Sequence, residues 1–225
     1  MDLLQITTTQ LDTLSTGGQE QVRIIELLVK GGFMMVPIFL LSILAVYIFV
    51  ERMLTIKKAS QIGDGFFENV KGLVLKGDIN AAKIICAQSS SPIARMIEKG
   101  VSRLGGELKN IEASIENVGK IEIYKLEKNL SLLATISGAA PMIGFLGTVT
   151  GMIRAFMAIA QEEGTVSPKL LSSGIYEAML TTAAGLFVGI IAYLGYNYLV
   201  TRVQKLIYRM EYTSINFMDL LQEPQ

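Results

Sequence analysis

The sequence predicts an all-α membrane protein with three transmembrane helices, the second and third extended into a cytoplasmic helical domain. Three observations carry that prediction. The 225 residues are 51% hydrophobic and only 18% charged, against about 25% charged in soluble domains. The charges are missing in blocks: none occurs over 31–50 or 129–153, and one, Glu177, occurs over 170–201. At ~1.5 Å per residue, about 20 apolar residues cross one ~30 Å hydrocarbon core. Finally, Lys and Arg are divided unequally. The ten-residue flanks 51–60, 119–128 and 201–210 hold nine: Arg52, Lys57, Lys58, Lys120, Lys125, Lys128, Arg202, Lys205 and Arg209. Arg23, Lys30 and Lys169 lie near the opposite membrane ends. The side richer in Lys and Arg is read as the cytoplasm. The N-terminus is therefore expected in the periplasm and the C-terminus inside, a parity that three spans require.

Composition also narrows the function. Twenty Lys+Arg balance 20 Asp+Glu, with one Cys and no His. Ser-His-Asp and Cys-His catalysis need a His, and zinc and copper sites rarely form without His or paired Cys. One Cys forms no intrachain disulfide. A neutral chain lacks the basic excess of a nucleic-acid binder. No catalytic residue, metal site or cofactor is expected, and no nucleic-acid partner. An intramembrane enzyme has little support, since the spans hold a single carboxylate and no Lys inside their ends, Lys169 standing at the first position of the third.

In chain order, residues 1–30 read as a Thr/Gln-rich periplasmic arm followed by an amphipathic helix on the outer interface, with Val22, Ile25, Leu28 and Val29 on one face. The first span, 31–50, lacks a basic lead and a clear small-x-small cleavage site, so it is expected to remain as a signal anchor. Residues 51–128 form the cytoplasmic domain, with helices expected near 61–76, 79–88, 92–104 and 109–128. Gly77-Asp78 ends one helix and caps the next; Ser91-Pro92 supplies an N-cap and a first-position Pro. Cys86, on an apolar helix, reads as a core residue. Ile111, Ile115, Val118 and Ile121 hold a helical spacing that runs into the second span, 129–160. Glu162-Glu163-Gly164 and Ser167-Pro168 bound a short periplasmic loop, 161–168, that forces an antiparallel hairpin. The third span, 169–201, continues as a C-terminal cytoplasmic helix, 202–225. There Val203, Leu206, Ile207, Met210, Phe217 and Leu221 recur at spacings that allow helix extensions to pack.

The hairpin permits a depth count. Thr148 lies 17 residues before residue 165 and Thr182 17 after it, while Arg154 lies 11 before and Glu177 12 after. Two polar layers are predicted, one of hydroxyls roughly 25 Å of helix below the loop and one of opposite charges nearer the outer surface. Intramembrane ionisable groups are costly and point to function. Three roles stay open for Glu177: work in an ion path, pairing with Arg154, or exposure near the surface. For Thr148, Thr181 and Thr182 a hydroxyl returned to its own helix competes with a pore role. Gly144, Gly147, Gly151, Gly185 and Gly189 would let helices approach closely, within one chain or between copies. A polar face turned to lipid is penalised, so copies assembled in a ring are expected.

The run Ala140-Pro141-Met142-Ile143-Gly144-Phe145-Leu146-Gly147-Thr148-Val149-Thr150-Gly151-Met152 resembles the second-span signature of the ExbB/TolQ/MotA proton-channel family. Gly174-Ile175-Tyr176-Glu177-Ala178-Met179-Leu180-Thr181-Thr182-Ala183-Ala184-Gly185-Leu186 resembles its third-span signature, with Tyr196-Asn197 and Glu51-Arg52 also in place. The resemblance covers roughly 30–215 and is nearest to ExbB members. It implies a homopentameric ring around two single-span ExbD-like helices in the central pore, whose Asp takes up and releases protons. Proton flow would then drive a motor that energises a TonB-like protein for outer-membrane transport from the inner membrane. The family's pore threonines fall on Thr148 and Thr182 and its third-span Glu on Glu177. Periodicity instead makes Thr181, at i+4, the neighbour of Glu177. Arg154 stands where family members often carry a neutral polar residue, and its pairing with Glu177 would weaken an ion-relay role. A TolQ-like subunit for envelope maintenance and a non-conducting membrane scaffold are the alternatives.

Overall fold

The computed structural model describes residues 31–63, 65–161 and 168–222. The arm and interfacial helix expected within 1–30 lie outside these residues, as does most of the loop expected at 161–168. The described residues form seven helices: α1 (Met35–Ser60), α2 (Phe66–Leu75), α3 (Ile79–Gln88), α4 (Pro92–Val101), α5 (Leu108–Glu127), α6 (Leu130–Gln161) and α7 (Pro168–Gln222). No strand occurs among the described residues. Three stretches are long and apolar enough to cross a membrane: Met35–Ser60, Leu108–Gln161 and Ser172–Gln222. The chain is thus a multi-pass helical membrane protein whose second and third long helices run on into a helical base.

α6 and α7 form the central antiparallel hairpin, with α1 laid against both. The 55 residues of α7 reach ~80 Å. Its far half therefore leaves the membrane and packs against α4 and α5. The short helices α2 to α4 complete the base, each stacked on the next. Local chemistry sets their ends. Gly77 adopts φ 76°, a left-handed conformation that costs glycine little, and closes the turn after α2. Asp78 then accepts the Ala81 N–H at 3.0 Å and starts α3. Pro92 opens α4 after Ser91. The Ser91 hydroxyl caps nothing in its own helix; it is buried and donates to the Ala59 carbonyl at 3.1 Å, tying the base to the end of α1.

The second long helix is not continuous. Asn129 takes φ 63° between α5 and α6, which breaks the backbone ladder. Carbonyls at the end of α5 lose their helical donors there. Arg52, 4% exposed, reaches across from α1 and donates to the Lys125 carbonyl at 3.0 Å. Glu51 pairs with the same guanidinium. The Glu51-Arg52 pair thus locks α1 to the α5–α6 joint.

A single apolar core runs from Ala45 and Ile48 in α1 through Leu133 and Ile136 in α6 down to Phe217 and Met218 in α7. Cys86 is fully buried in it, and burial pushes its thiol up to about 11, with the Glu98 charge adding to the shift. Val203, Leu206, Met210 and Phe217 form the buried stripe of α7. The α5 stripe departs from the apolar spacing. Ile111 and Ile115 are buried, but Ile121 is 56% exposed and Glu122 faces inward instead. Two cations explain the exchange: Arg95 donates to Glu122 at 2.7 Å and Lys125 at 2.6 Å. A buried carboxylate is tolerable only when paired in this way.

Candidate functional site: a polar ladder in the membrane hairpin

Above the apolar core the hairpin changes its packing rule. Side chains give way to backbone. A Cβ on Gly185 would stand 2.5 Å from the Ala140 carbonyl oxygen and 2.9 Å from the Gly144 Cα. One on Gly144 would stand 2.9 Å from the Thr181 carbonyl oxygen. Gly147 faces the Thr181 side chain, Gly151 faces Ala178, and Gly189 faces the ring of Pro141. All five glycines read from the sequence therefore serve the α6–α7 contact within one chain. Gly174 belongs with them, since its Cβ would come 2.7 Å from Ala155 Cβ. Its part was legible as a small residue one helical turn before Ala178.

This close approach brings the two hydroxyl-bearing positions together. Thr148 Oγ1 and Thr182 Oγ1 are in direct contact. Thr182 donates to the Gly144 carbonyl across the hairpin at 3.0 Å. Thr148 lies 3.4 Å from both the Gly144 and the Ala178 carbonyls. Both threonines remain part-exposed in the isolated chain. Thr181 has a different place. It is 1% exposed, donates to the Ala178 carbonyl of its own helix at 2.8 Å, and presses its side chain on Gly147. The one-residue offset turns Thr181 into the helix contact and Thr182 toward the open face.

The charged layer also forms. Arg154 Nη1 donates to Glu177 Oε1 at 3.0 Å. The Arg154 side chain is 53% exposed and that of Glu177 25%. Gly32, just ahead of α1 at φ 66°, lies against the Glu177 carboxylate so closely that a Cβ there would collide with Oε1. The carboxylate is thus held between α6 and the entry to α1. Nothing in the composition marked Gly32 for this contact. The structure also adds Glu122, and it makes a cap of Arg52, which the Lys and Arg count had placed at the membrane boundary only in general terms.

A multi-pass helical protein whose paired helices α6 and α7 carry a hydroxyl layer and a charge layer has the make-up of a membrane channel component. The profile of the MotA/TolQ/ExbB proton channel family matches residues 88–212, and the chain belongs to that family. The chain is 26% identical to biopolymer transport protein exbB1 of Vibrio cholerae over 84% of each chain. It is 32% identical to biopolymer transport protein ExbB of Aquifex aeolicus over 61% of this chain and 87% of the relative. It is 42% identical to the Tol-Pal system protein TolQ of Haemophilus influenzae over 36% of each chain.

Proposed function

We propose that this chain is the proton-channel subunit of an ExbB-like inner-membrane motor. Five copies enclose single-span ExbD-like subunits, and protonmotive force is converted into work on a TonB-like protein that energises outer-membrane transport. The N-terminus lies in the periplasm and the base in the cytoplasm. The observation that carries this reading is the contact between the Thr148 and Thr182 hydroxyls on the part-exposed side of the hairpin. Hydroxyls there offer a passing proton carrier both donors and acceptors without adding charge. The Arg154–Glu177 pair supports a structural part for Glu177 as the clamp of the hairpin's outer end, with Glu177 also bordering the ion path.

A TolQ-like role in envelope maintenance is the second reading, favoured by the 42% identity to TolQ over 83 residues. The test is the native mass and composition of the complex purified from source membranes. Five copies holding single-span partners with a membrane Asp are expected, and the co-purifying periplasmic protein distinguishes the Ton from the Tol role. A homo-oligomer that conducts no protons after reconstitution would overturn both and leave a structural scaffold.

A further inference from the structure

Two cavities lie end to end in the groove between α1 and α7. The upper one, of about 250 Å³, is walled by apolar groups that include Val46, Phe49, Ile191 and Gly195, with Leu133 of α6 as its floor. The lower one, of about 300 Å³, is walled by Met53, Ile56 and Leu199 together with Lys57, Ser60, Tyr198 and Arg202. The Phe49 and Tyr198 rings, 6.4 Å apart, stand at the junction of the two. The groove is therefore apolar at one end and cationic at the other.

Its dimensions fit a bilayer. From Val46 to Lys57 on α1, and from Ile191 to Arg202 on α7, the helices rise ~16 Å, about half of a ~30 Å hydrocarbon core. The apolar part thus spans one leaflet, and the two cations stand where its headgroups begin. Cations at that level commonly do no more than anchor helix ends. Arg202 is more constrained than that. Its Nε and Nη2 hydrogen-bond to Tyr198 Oη at 3.2 and 2.9 Å, and its guanidinium lies 5.2 Å from the centre of the same ring. Neither Lys57 nor Arg202 has a carboxylate partner among the ion pairs of the described residues. Two unneutralised cations and a hydroxyl beside an apolar slot are complementary to one kind of molecule: an anionic phosphate headgroup carrying an acyl chain.

We infer that the α1–α7 groove is a binding site for an anionic phospholipid, with one acyl chain along Val46, Phe49 and Ile191 and its phosphate held by Lys57 and Arg202. The site shares no residue with the Thr148–Thr182 and Arg154–Glu177 layers. It would brace α1 against α7 through lipid where protein contact is incomplete.

The chain has no Trp, so a single introduced Trp reports on its own surroundings. Val46→Trp places the reporter on the groove wall. Tyr47→Trp places it ~100° around α1 at the same depth. Tyr47, 64% exposed, is not among the groove's walls. The purified chain is reconstituted in phosphatidylcholine vesicles holding one part in ten of phosphatidylglycerol, and the acyl chains of either lipid are brominated in turn. Brominated phosphatidylglycerol should quench Val46→Trp at least three-fold more than it quenches Tyr47→Trp. Adding Lys57→Gln and Arg202→Gln should remove that excess, and Lys57→Arg with Arg202→Lys should retain most of it. Equal quenching at the two positions would overturn the inference and mark the groove as ordinary annular lipid. Quenching of Tyr47→Trp but not of Val46→Trp by either lipid would also overturn it, because a second copy of the chain would then fill the groove. Helical circular dichroism of each variant separates loss of binding from loss of fold.

Discussion

Around Phe217 the helices of the base meet through large side chains, with Ile97, Ile115 and Met210 closing a dry core. Between Gly144 and Gly185 the membrane helices meet through backbone, with almost no side chain between them. Water drives the first arrangement, because apolar area is removed from it. Lipid offers no such drive, so the second depends on close van der Waals approach and on hydroxyls that bond across the gap. Charge follows the same division. In the base Glu122 is enclosed and held by two cations from α4 and α5, whereas Arg154 and Glu177 meet part-exposed near one end of the hairpin. The base thus depends on filled volume and on the pairing of its one buried carboxylate among the described residues, and the hairpin tolerates neither added volume nor separation of its polar layer.

Four sets of substitutions would break or sharpen this contrast. The largest effect on stability is expected from Phe217→Ala, since Phe217 is fully buried. Deleting such a ring costs ~3–5 kcal/mol, and the thermal midpoint in detergent should fall by about 10 °C. A shift of only a degree or two would show that the base is not held by its apolar core.

Gly185→Leu comes next. Its side chain would enter space already filled by the Ala140 carbonyl and the Gly144 Cα, and overpacking of this kind costs ~1–3 kcal/mol. Because backbone rather than a flexible side chain stands in the way, the helices must part and the Thr148–Thr182 contact must open. Proton flux through the reconstituted complex should be lost although the base still folds. Retained flux would show that close backbone approach is not what sets the site.

The threonine series should barely change stability, by ~1 kcal/mol or less, yet it divides function sharply. Thr148→Val and Thr182→Val should abolish flux with assembly intact. Thr181→Val should keep it, because that hydroxyl hydrogen-bonds only within its own helix and Val preserves the side-chain volume packed on Gly147. Loss of flux in Thr181→Val alone would transfer the pore position to Thr181.

The smallest effect concerns Cys86. A thiol raised from 9.0 to about 11 is held in its neutral form by the fold. Its contribution is fully present below pH 9 and lost as the pH rises toward about 11. Stability of the base measured by chemical denaturation should decline over that window in the parent and less so in Cys86→Ala. Rapid labelling of Cys86 by iodoacetamide at pH 8 in the folded protein would contradict this burial.

The all-α class, the three apolar stretches and the pairing in depth of Thr148 with Thr182 and of Arg154 with Glu177 were legible in the sequence. They follow from length, charge gaps and the fixed rise of a helix, which are properties of the chain taken one element at a time. Orientation about the helix axis was legible less well. Spacing set Ile121 in line with Ile111, Ile115 and Val118, and it left Thr181 and Thr182 both open as the pore hydroxyl. The structure turns Thr182 to Thr148, and puts Glu122 in place of Ile121 because Arg95 from α4 reaches it. The break at Asn129, the Arg52 cap on α5, the contact of Gly32 with Glu177 and the two-ended groove between α1 and α7 were decided only by tertiary structure. Each joins residues distant in sequence, and no local propensity or spacing records which side chain a neighbouring helix will present.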